Sequence, residues 1–326
     1  MKKATAVAPS NIAFIKYWGR KDESLRLPAN GSISMNLSNF LTTTTVEFSN
    51  VYKNDEVIFN GQKEALVENR AIKHIDRIRK LAGIKTKVKV VTENNFPTGT
   101  GLSSSASGFA ALTVAGVAAA GLQLSEKELS ILARQGSGSA CRSIPDGFVE
   151  WLDGDISETA YARSLYAPDY WELVDVVALT STQKKEVSSS TGHTTVGSSP
   201  FFAVRQKYIK AKIELCKKYL KLRDFKNLGE LIEAEALELH AIYLTSNPSL
   251  IYLLPETLRV IRAVKKWRED GLAVYFTLNT GQDIHLLCEK KNSNKVVALA
   301  QKISGVQKTI LNESSVGTRL IERHLF

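Results

Sequence analysis

Two periods of apolar residues alternate along the chain. "KVKVVTE" (residues 87–93) alternates Val with charged side chains, the period of two of a half-buried strand. Shortly beyond it, "SASGFAALTVAGVAAAG" is rich in Ala and apolar throughout, which predicts a close-packed helix stopping near Gly121. "TTTTVEF" and "DEVIFNG" read as paired strands, and "SEKELSILARQ" opens with a capping box of Ser125 and Glu128. After "YWELVDVVALTST" the pattern breaks into the polar "QKKEVSSSTGHTTVGSSPFF", a domain junction or substrate loop. Three or four amphipathic helices and the hairpin "AVYFTLNTGQDIHLLCE" follow, so the second domain is α+β. The expected division is 1–184 and 185–326.

Length agrees, since 326 residues suggest about two domains. The net charge of +10 favours anionic partners. The lysines are scattered along helices such as "RQKYIKAKIELCKKYLK" and form no dense tract, which places small phosphorylated molecules ahead of nucleic acid. Cys141, Cys216 and Cys288 are widely separated and lack Cys-x-x-Cys spacing, arguing against disulfides and zinc and for a reducing compartment. The N-terminus lacks a signal-peptide core, and the apolar run 108–124 is too short and Ala/Gly-rich for a membrane span. A cytoplasmic protein is expected, and a homodimer is compatible with that.

The junction "NNFPTGTGLSSSASGF" (residues 94–109) concentrates glycines and hydroxyls between a strand and a helix. Glycines let successive N–H groups converge, and a helix start adds free N–H groups and partial positive charge, so phosphate could sit there. An ordinary Ser cap on a Gly turn has the same composition, and no Walker A lysine follows. Two further segments carry chemistry. In "APSNIAFIKYWGRKDESLRLPANGSIS" an apolar run reaches Lys16, whose ammonium needs a carbonyl, carboxylate or phosphate unless it snorkels to the surface. In "RQGSGSACRS" Gly and Ser alternate before Arg142, a guanidinium able to grip an anion with two hydrogen bonds, or a surface arginine after a Gly cap.

Together these segments resemble the mevalonate diphosphate decarboxylases of the GHMP kinase superfamily. "APSNIAFIKYWGRKDESLRLP" is similar to that family's substrate segment and "NNFPTGTGLSSSASG" to its ATP-phosphate loop. "RQGSGSACRS" resembles its substrate loop, "VSSSTGH" the motif opening its second domain, and "YFTLNTGQDIH" the hairpin bearing its catalytic aspartate. The resemblance implies a GHMP kinase fold, with a ribosomal-S5-like N-terminal domain and a ferredoxin-like C-terminal domain. It implies ATP and Mg2+ as cofactors and decarboxylation of mevalonate 5-diphosphate to isopentenyl diphosphate. It also implies roles. Lys16 and Arg142 would face the departing carboxylate. Tyr17, Trp18, Gly19, Arg20, Arg70, Ser137, Gly138, Ser139, Ala140, Cys141 and Ser190 would bind substrate. Pro97, Gly99, Thr100, Gly101, Ser103, Ser104 and Ser105 would hold ATP, with Ser105 on the metal.

At the position of the family's aspartate this chain has Asn279. An amide cannot accept a proton at neutral pH, though it can still hydrogen-bond a hydroxyl. An inactive engineered copy, a natural branch of altered function and a mechanism needing the position more than the charge all remain open, with Asp283 as another candidate base. Alternatives of the same fold are a mevalonate 5-phosphate decarboxylase and a kinase that stops at the 3-hydroxyl. A basic nucleic-acid-binding protein is the alternative from another class.

Overall fold

The computed structural model describes residues 3–97, 101–181 and 189–326, apart from the side chains of residues 189–191. The first half contains β1 (Lys3–Ile15), the short β2 (Arg20–Asp22) and β3 (Leu27–Pro28), β4 (Ser32–Phe48), β5 (Glu56–Phe59), α1 (Ala65–Ala82), β6 (Val88–Asn94), α2 (Ser104–Ala119), α3 (Glu126–Gly136), β7 (Phe148–Trp151) and β8 (Ala162–Tyr166). The second half begins with β9 (Leu173–Leu179) and α4 (Ser189–Thr195). α5 (Phe202–Leu222), α6 (Phe225–Thr245) and α7 (Pro255–Glu269) come next. β10 (Tyr275–Thr277), β11 (Ile284–Glu289), α8 (Ser293–Ala300), β12 (Lys308–Glu313) and β13 (Arg319–Ile321) complete it.

Among the described residues, one sheet has seven strands in the order β13-β1-β4-β6-β5, with β7 joining β4 and β8 joining β7. β1 and β4 pair antiparallel, with register shifts after Pro9 and after Ala13. Pro9 has no N–H to give to the ladder, so a break beside it is expected. The second shift frees the chain just before Lys16. "TTTTVEF" and "DEVIFNG" do not pair with each other, contrary to the pattern: β4 pairs antiparallel with β6, and β5 pairs parallel with β6's other edge. Alternation identifies a strand's buried face but not its neighbour. The helix α1 between β5 and β6 is what makes the parallel pairing possible.

The second sheet, four antiparallel strands among the described residues, runs β10-β11-β9-β12. Every residue of its inner strand β9 is buried. The expected division at 184/185 falls beyond β9, although β9's partners β11 and β12 both lie past that point. β13 returns from the end of the chain to pair with β1. Each sheet thus takes one strand from the other's stretch of sequence.

Packing follows the sequence pattern. α2 buries Ala106, Phe109, Ala110, Leu112, Val114 and Val117, and packs with Val46, Val90, Ile75 and Ile78 in one core. A second core joins the sheets: Ile15, Met35 and Phe148 pack with Leu173, Val177 and Leu287 and with Ile213 and Ile232 of α5 and α6. Each such side chain contributes about 1.5–3 kcal/mol through burial. This core brings the end of β1 and the β10–β11 turn to the same place. The capping box that opens α3 is present as expected. The polar stretch after β9 is helical from Ser189, against its composition. Gly192 lies so close to Trp18 that an added Cβ would fall 2.8 Å from the indole, and this packing outweighs weak helix propensity.

Candidate active site

Lys16 follows the last residue of β1 and is 2% exposed. Its Nζ donates to Ala13 O at 2.6 Å and to Asn279 Oδ1 at 3.2 Å, while its backbone N–H donates to Glu235 Oε1 at 2.9 Å. Burial holds the amine well below the usual lysine range. Arg142 and Arg205 push the same way, and Glu235 and Asp175 oppose them. Arg205 and Lys212 both bind the Glu235 carboxylate, and Arg205 also donates to Lys16 O at 3.0 Å. A buried ionic cluster therefore fixes the backbone of Lys16 rather than its amine.

The Gly/Ser junction crosses to the hairpin of the second sheet. Gly101 has φ +113°, and a Cβ there would fall 2.2 Å from Gly281 Cα. Only glycine against glycine allows this approach. Ser10 Oγ donates to Leu102 O at 2.6 Å and ties the loop to β1. Ser103 precedes α2 in the left-handed region (φ 57°) and makes no side-chain cap. Instead its hydroxyl accepts from Asn279 Nδ2 at 3.0 Å. Ser103, Ser104 and Ser105 line a cavity of about 350 Å³ beside Lys16 and Asn279. The helix start behind them offers first-turn N–H groups without intrahelical partners.

The second Gly/Ser segment forms the opposite wall. α3 stops at Gly136, and residues Gly138–Ser143 make a 3-10 turn. A Cβ on Gly138 would fall 2.7 Å from the Tyr17 ring and hydroxyl, so glycine here lets the tyrosine lie against the turn. Arg142 is 4% exposed and donates through Nη1 to Ser32 Oγ at 2.7 Å and through Nη2 to Asn11 Oδ1 at 3.1 Å. These bonds aim a preformed cation at the cavity without neutralising it. The two segments touch where the Ser105 and Ser137 hydroxyls hydrogen-bond at 3.1 Å.

At the other end the cavity is strongly basic: Arg20, Arg26 and Arg70 all line it. Arg20 Nε donates to Tyr17 Oη at 2.9 Å, and Arg70 lies over the Phe109 ring. Burial, with Arg20 and Arg70 nearby, lowers Arg26 to about 10. Three converging guanidiniums of this kind call for an anion.

Lys16, Tyr17, Trp18, Arg20, Arg70, Gly101, Ser103, Ser104, Ser105, Ser137, Gly138, Ser139, Arg142 and Asn279 all line this one cavity. Gly19 does not line it; its N–H donates to His193 Nδ1 at 3.1 Å. Ala140 and Cys141 belong to the 3-10 turn but are fully buried and do not line the cavity, and the Cys141 thiol donates to Gly138 O at 3.1 Å. Pro97 precedes the loop and does not reach the cavity wall. Gly99 and Thr100 lie outside the described residues, as does the side chain of Ser190, whose backbone is in the first turn of α4. Asp283 does not line the cavity: its Oδ1 accepts from Thr180 N at 2.8 Å and holds the end of β9.

Sequence reasoning missed Arg26, His193 and Tyr243, which also line the cavity. His193 stacks between Tyr17 and Trp18, with ring centroids 4.5 and 4.1 Å away. Its signal was present in "VSSSTGH", but a lone histidine names no partner. Arg26 sits in the left-handed region (φ 52°), in the β2–β3 turn, where sequence alone reads a surface arginine.

A glycine- and serine-rich loop entering a helix, facing a cation-lined cavity between two α+β units, defines an enzyme of the GHMP kinase fold. The family description "Diphosphomevalonate decarboxylase-like N-terminal domain" matches residues 8–162, and "Mevalonate 5-diphosphate decarboxylase C-terminal domain" matches residues 175–321. The diphosphomevalonate decarboxylase of Candida albicans is 36% identical over 94% of this chain and 89% of its own length. The crystal structure of mevalonate diphosphate decarboxylase from Staphylococcus aureus superposes with a TM-score of 0.94 at 37% identity, covering 98% of each chain. A structure described as MDDEF in complex with MVAPP, AMPPCP and magnesium gives 0.92 at 37% identity, covering 98% of this chain and 99% of that one. This chain belongs to the diphosphomevalonate decarboxylase family.

Proposed function

We propose that this chain decarboxylates mevalonate 5-diphosphate with ATP, giving isopentenyl diphosphate, ADP, phosphate and CO2. The observation that carries this is the single cavity, in which Ser103–Ser105 at the start of α2, Lys16, Arg142 and three further arginines converge. The hydroxyls and first-turn N–H groups suit the ATP phosphates. Arg20, Arg26 and Arg70 suit a strongly anionic substrate terminus, and three guanidiniums favour a diphosphate over a monophosphate there. Arg142, buried and hydrogen-bonded in place, would hold the carboxylate.

A tertiary hydroxyl leaves poorly and a phosphate leaves well. Phosphorylating the 3-hydroxyl therefore prepares its loss, and the carboxylate then breaks away as CO2 as its electrons form the double bond. Asn279 and Lys16 sit where that hydroxyl would be oriented. Among the described residues no three His, Cys, Asp or Glu side chains cluster as a metal site. The donor set instead fits Mg2+ held mainly by phosphate oxygens, with the Ser105 hydroxyl as the protein's contribution. When bound, the ion would neutralise phosphate charge.

Small anions, rather than nucleic acid, are the partners this charge distribution supports, because four arginines line the cavity among the described residues. The cysteines are free and buried, which supports a reducing, cytoplasmic setting. Among the described residues no helix is long and apolar enough to cross a membrane.

The test is incubation with ATP, Mg2+ and, in separate reactions, mevalonate 5-diphosphate, mevalonate 5-phosphate and mevalonate, with products read by mass. Isopentenyl diphosphate formed preferentially from the diphosphate is the expected result. ADP without CO2 would make the chain a 3-hydroxyl kinase, and preference for the monophosphate would reassign the arginines.

A further inference from the structure

Phosphorylation of the 3-hydroxyl releases a proton, and among the described residues no aspartate or glutamate lines the cavity. Its titratable lining among the described residues is four arginines, two tyrosines, His193 and Lys16. Arginines do not give up their charge. Burial pushes the Tyr17 and Tyr243 phenols up, so neither is an anion near neutral pH. His193 Nδ1 accepts the Gly19 N–H at 3.1 Å, which places the ring's own proton on Nε2 and occupies the basic nitrogen. His240 does not line the cavity, and its Nε2 donates to Asn279 O at 3.2 Å.

Lys16 is left, and its geometry suits an amine. A neutral –NH2 has two N–H bonds, and among the described residues Nζ has two acceptors, Ala13 O and Asn279 Oδ1. The remaining tetrahedral position carries the lone pair and is available to the cavity that Lys16 lines. Among the described residues no carboxylate bonds Nζ. Glu235 on α6 is taken by Arg205 and Lys212, and Asp175 on β9 accepts from His285 Nδ1 at 2.8 Å.

Resting on the proposed function, we infer that Lys16 acts as a neutral amine and accepts the proton of the substrate's 3-hydroxyl, with the Asn279 side-chain oxygen orienting it. The O–H proton passes to the Nζ lone pair, giving an ammonium. The hydroxyl oxygen bonds the γ-phosphorus of ATP as the bridging P–O bond breaks, and its electron pair leaves with ADP. The new ammonium then stands beside the departing phosphate. Asn279 thus fits its place: a carboxylate there would hold Lys16 as an ammonium, whereas an amide oxygen accepts from the amine without charging it. Among the described residues, the charged groups facing Lys16 are Glu235, Asp175, Arg142 and Arg205, with His240 lowered by burial to about 4. Burial is the largest influence on Lys16 and lowers it, Arg142 and Arg205 act the same way, and Glu235 and Asp175 oppose them.

Chemical rescue tests this. Lys16→Ala, still binding ATP and substrate by calorimetry, should lose about 100-fold or more in the rate of ADP release. Ethylamine should restore it in proportion to its unprotonated fraction, and ethylguanidinium should not. Equal rescue by the guanidinium, rescue by neither compound, or a variant as fast as its parent would each overturn the inference. If Lys16→Ala fails to fold, the pH profiles of ADP release by the native chain and Asn279→Asp decide. The acid limb should move to lower pH in Asn279→Asp, where a carboxylate takes over as acceptor. A shared limb would overturn the inference, because the substrate phosphates titrate alike in both chains. A native chain that stays silent while Asn279→Asp releases ADP and CO2 would overturn both the inference and turnover by the native chain, yet leave the assignment of ATP and substrate to this cavity standing. Silence from both chains would remove the proposed function itself.

Discussion

The two Gly/Ser segments have nearly the same composition and opposite physics. The first, ending at Ser105, enters the N-terminus of α2, where backbone N–H groups favour an anion. The second begins where α3 ends, at Gly136, where carbonyls repel one. The second can face the same ligands only because Arg142 supplies positive charge from the 3-10 turn, held by Ser32 and Asn11. Their glycines differ too. Gly101 allows backbone to meet backbone at Gly281, whereas Gly138 makes room for the Tyr17 side chain. Composition marks a loop as special, but which helix end it adjoins and what its glycines touch decide its work.

Removing the compensating cation should break the comparison hardest. Arg142→Lys keeps the charge but loses the planar fork, and a desolvated anion contact of this kind is worth roughly 2–5 kcal/mol. The expected result is a fall in kcat/KM of about 30-fold or more. A variant equal to its parent would remove the carboxylate-clamp role. On the first loop, Ser105→Ala should lower turnover by about 10²–10³-fold, the usual effect of deleting one preorganised donor, with an unchanged melting curve. Unaltered turnover would reduce these hydroxyls to local structure. Gly138→Ala should cost about 1–3 kcal/mol in stability as Tyr17 and its partner Arg20 are displaced. Gly108→Ala on α2 meets nothing within 4 Å and should stabilise by about 0.5–1 kcal/mol, so thermal melts of the pair separate close contact from helix propensity.

Each wall also rests on a buried neutral histidine. His74 lies against Gly136, and burial lowers it to about 3; His240 lies against Asn279, and burial lowers it to about 4. Unfolded, both would titrate near 6.5. The unfolded chain therefore binds more protons below that point. Stability, full above about 6.5, should fall as pH drops toward about 4 and then 3, by up to about 1.4 kcal/mol per pH unit for each histidine. Urea melts of His74→Gln should show a shallower slope than the parent, and identical slopes would show that His74 titrates normally.

Much of this was legible in the sequence. β6, α2, the α3 capping box and the β10–β11 hairpin all carry local signals of period, cap or turn, and the cavity collects most of the residues marked by the two loops and the Lys16 segment. What was not legible depends on contacts between distant residues. Nothing in "DEVIFNG" says that β6 will lie between it and β4. β9 could not be assigned to the second sheet before its partners β11 and β12 were known. Arg26 and His193 are single residues of types common on surfaces, and only the fold brings them beside Tyr17 and Arg20. Asp283 was the reverse: its nearness to Asn279 in sequence suggested a base, while its side chain turns away to Thr180.

The central claim is that a cavity with no carboxylate among its described lining residues still performs both phosphoryl transfer and decarboxylation. The most direct measurement is a single-turnover quench of the native chain, Asn279 in place, saturated with ATP, Mg2+ and carboxyl-labelled mevalonate 5-diphosphate. The account predicts ADP and labelled CO2 in equal amounts, one of each per active site. A site that holds both ligands through the experiment and forms neither product would contradict it.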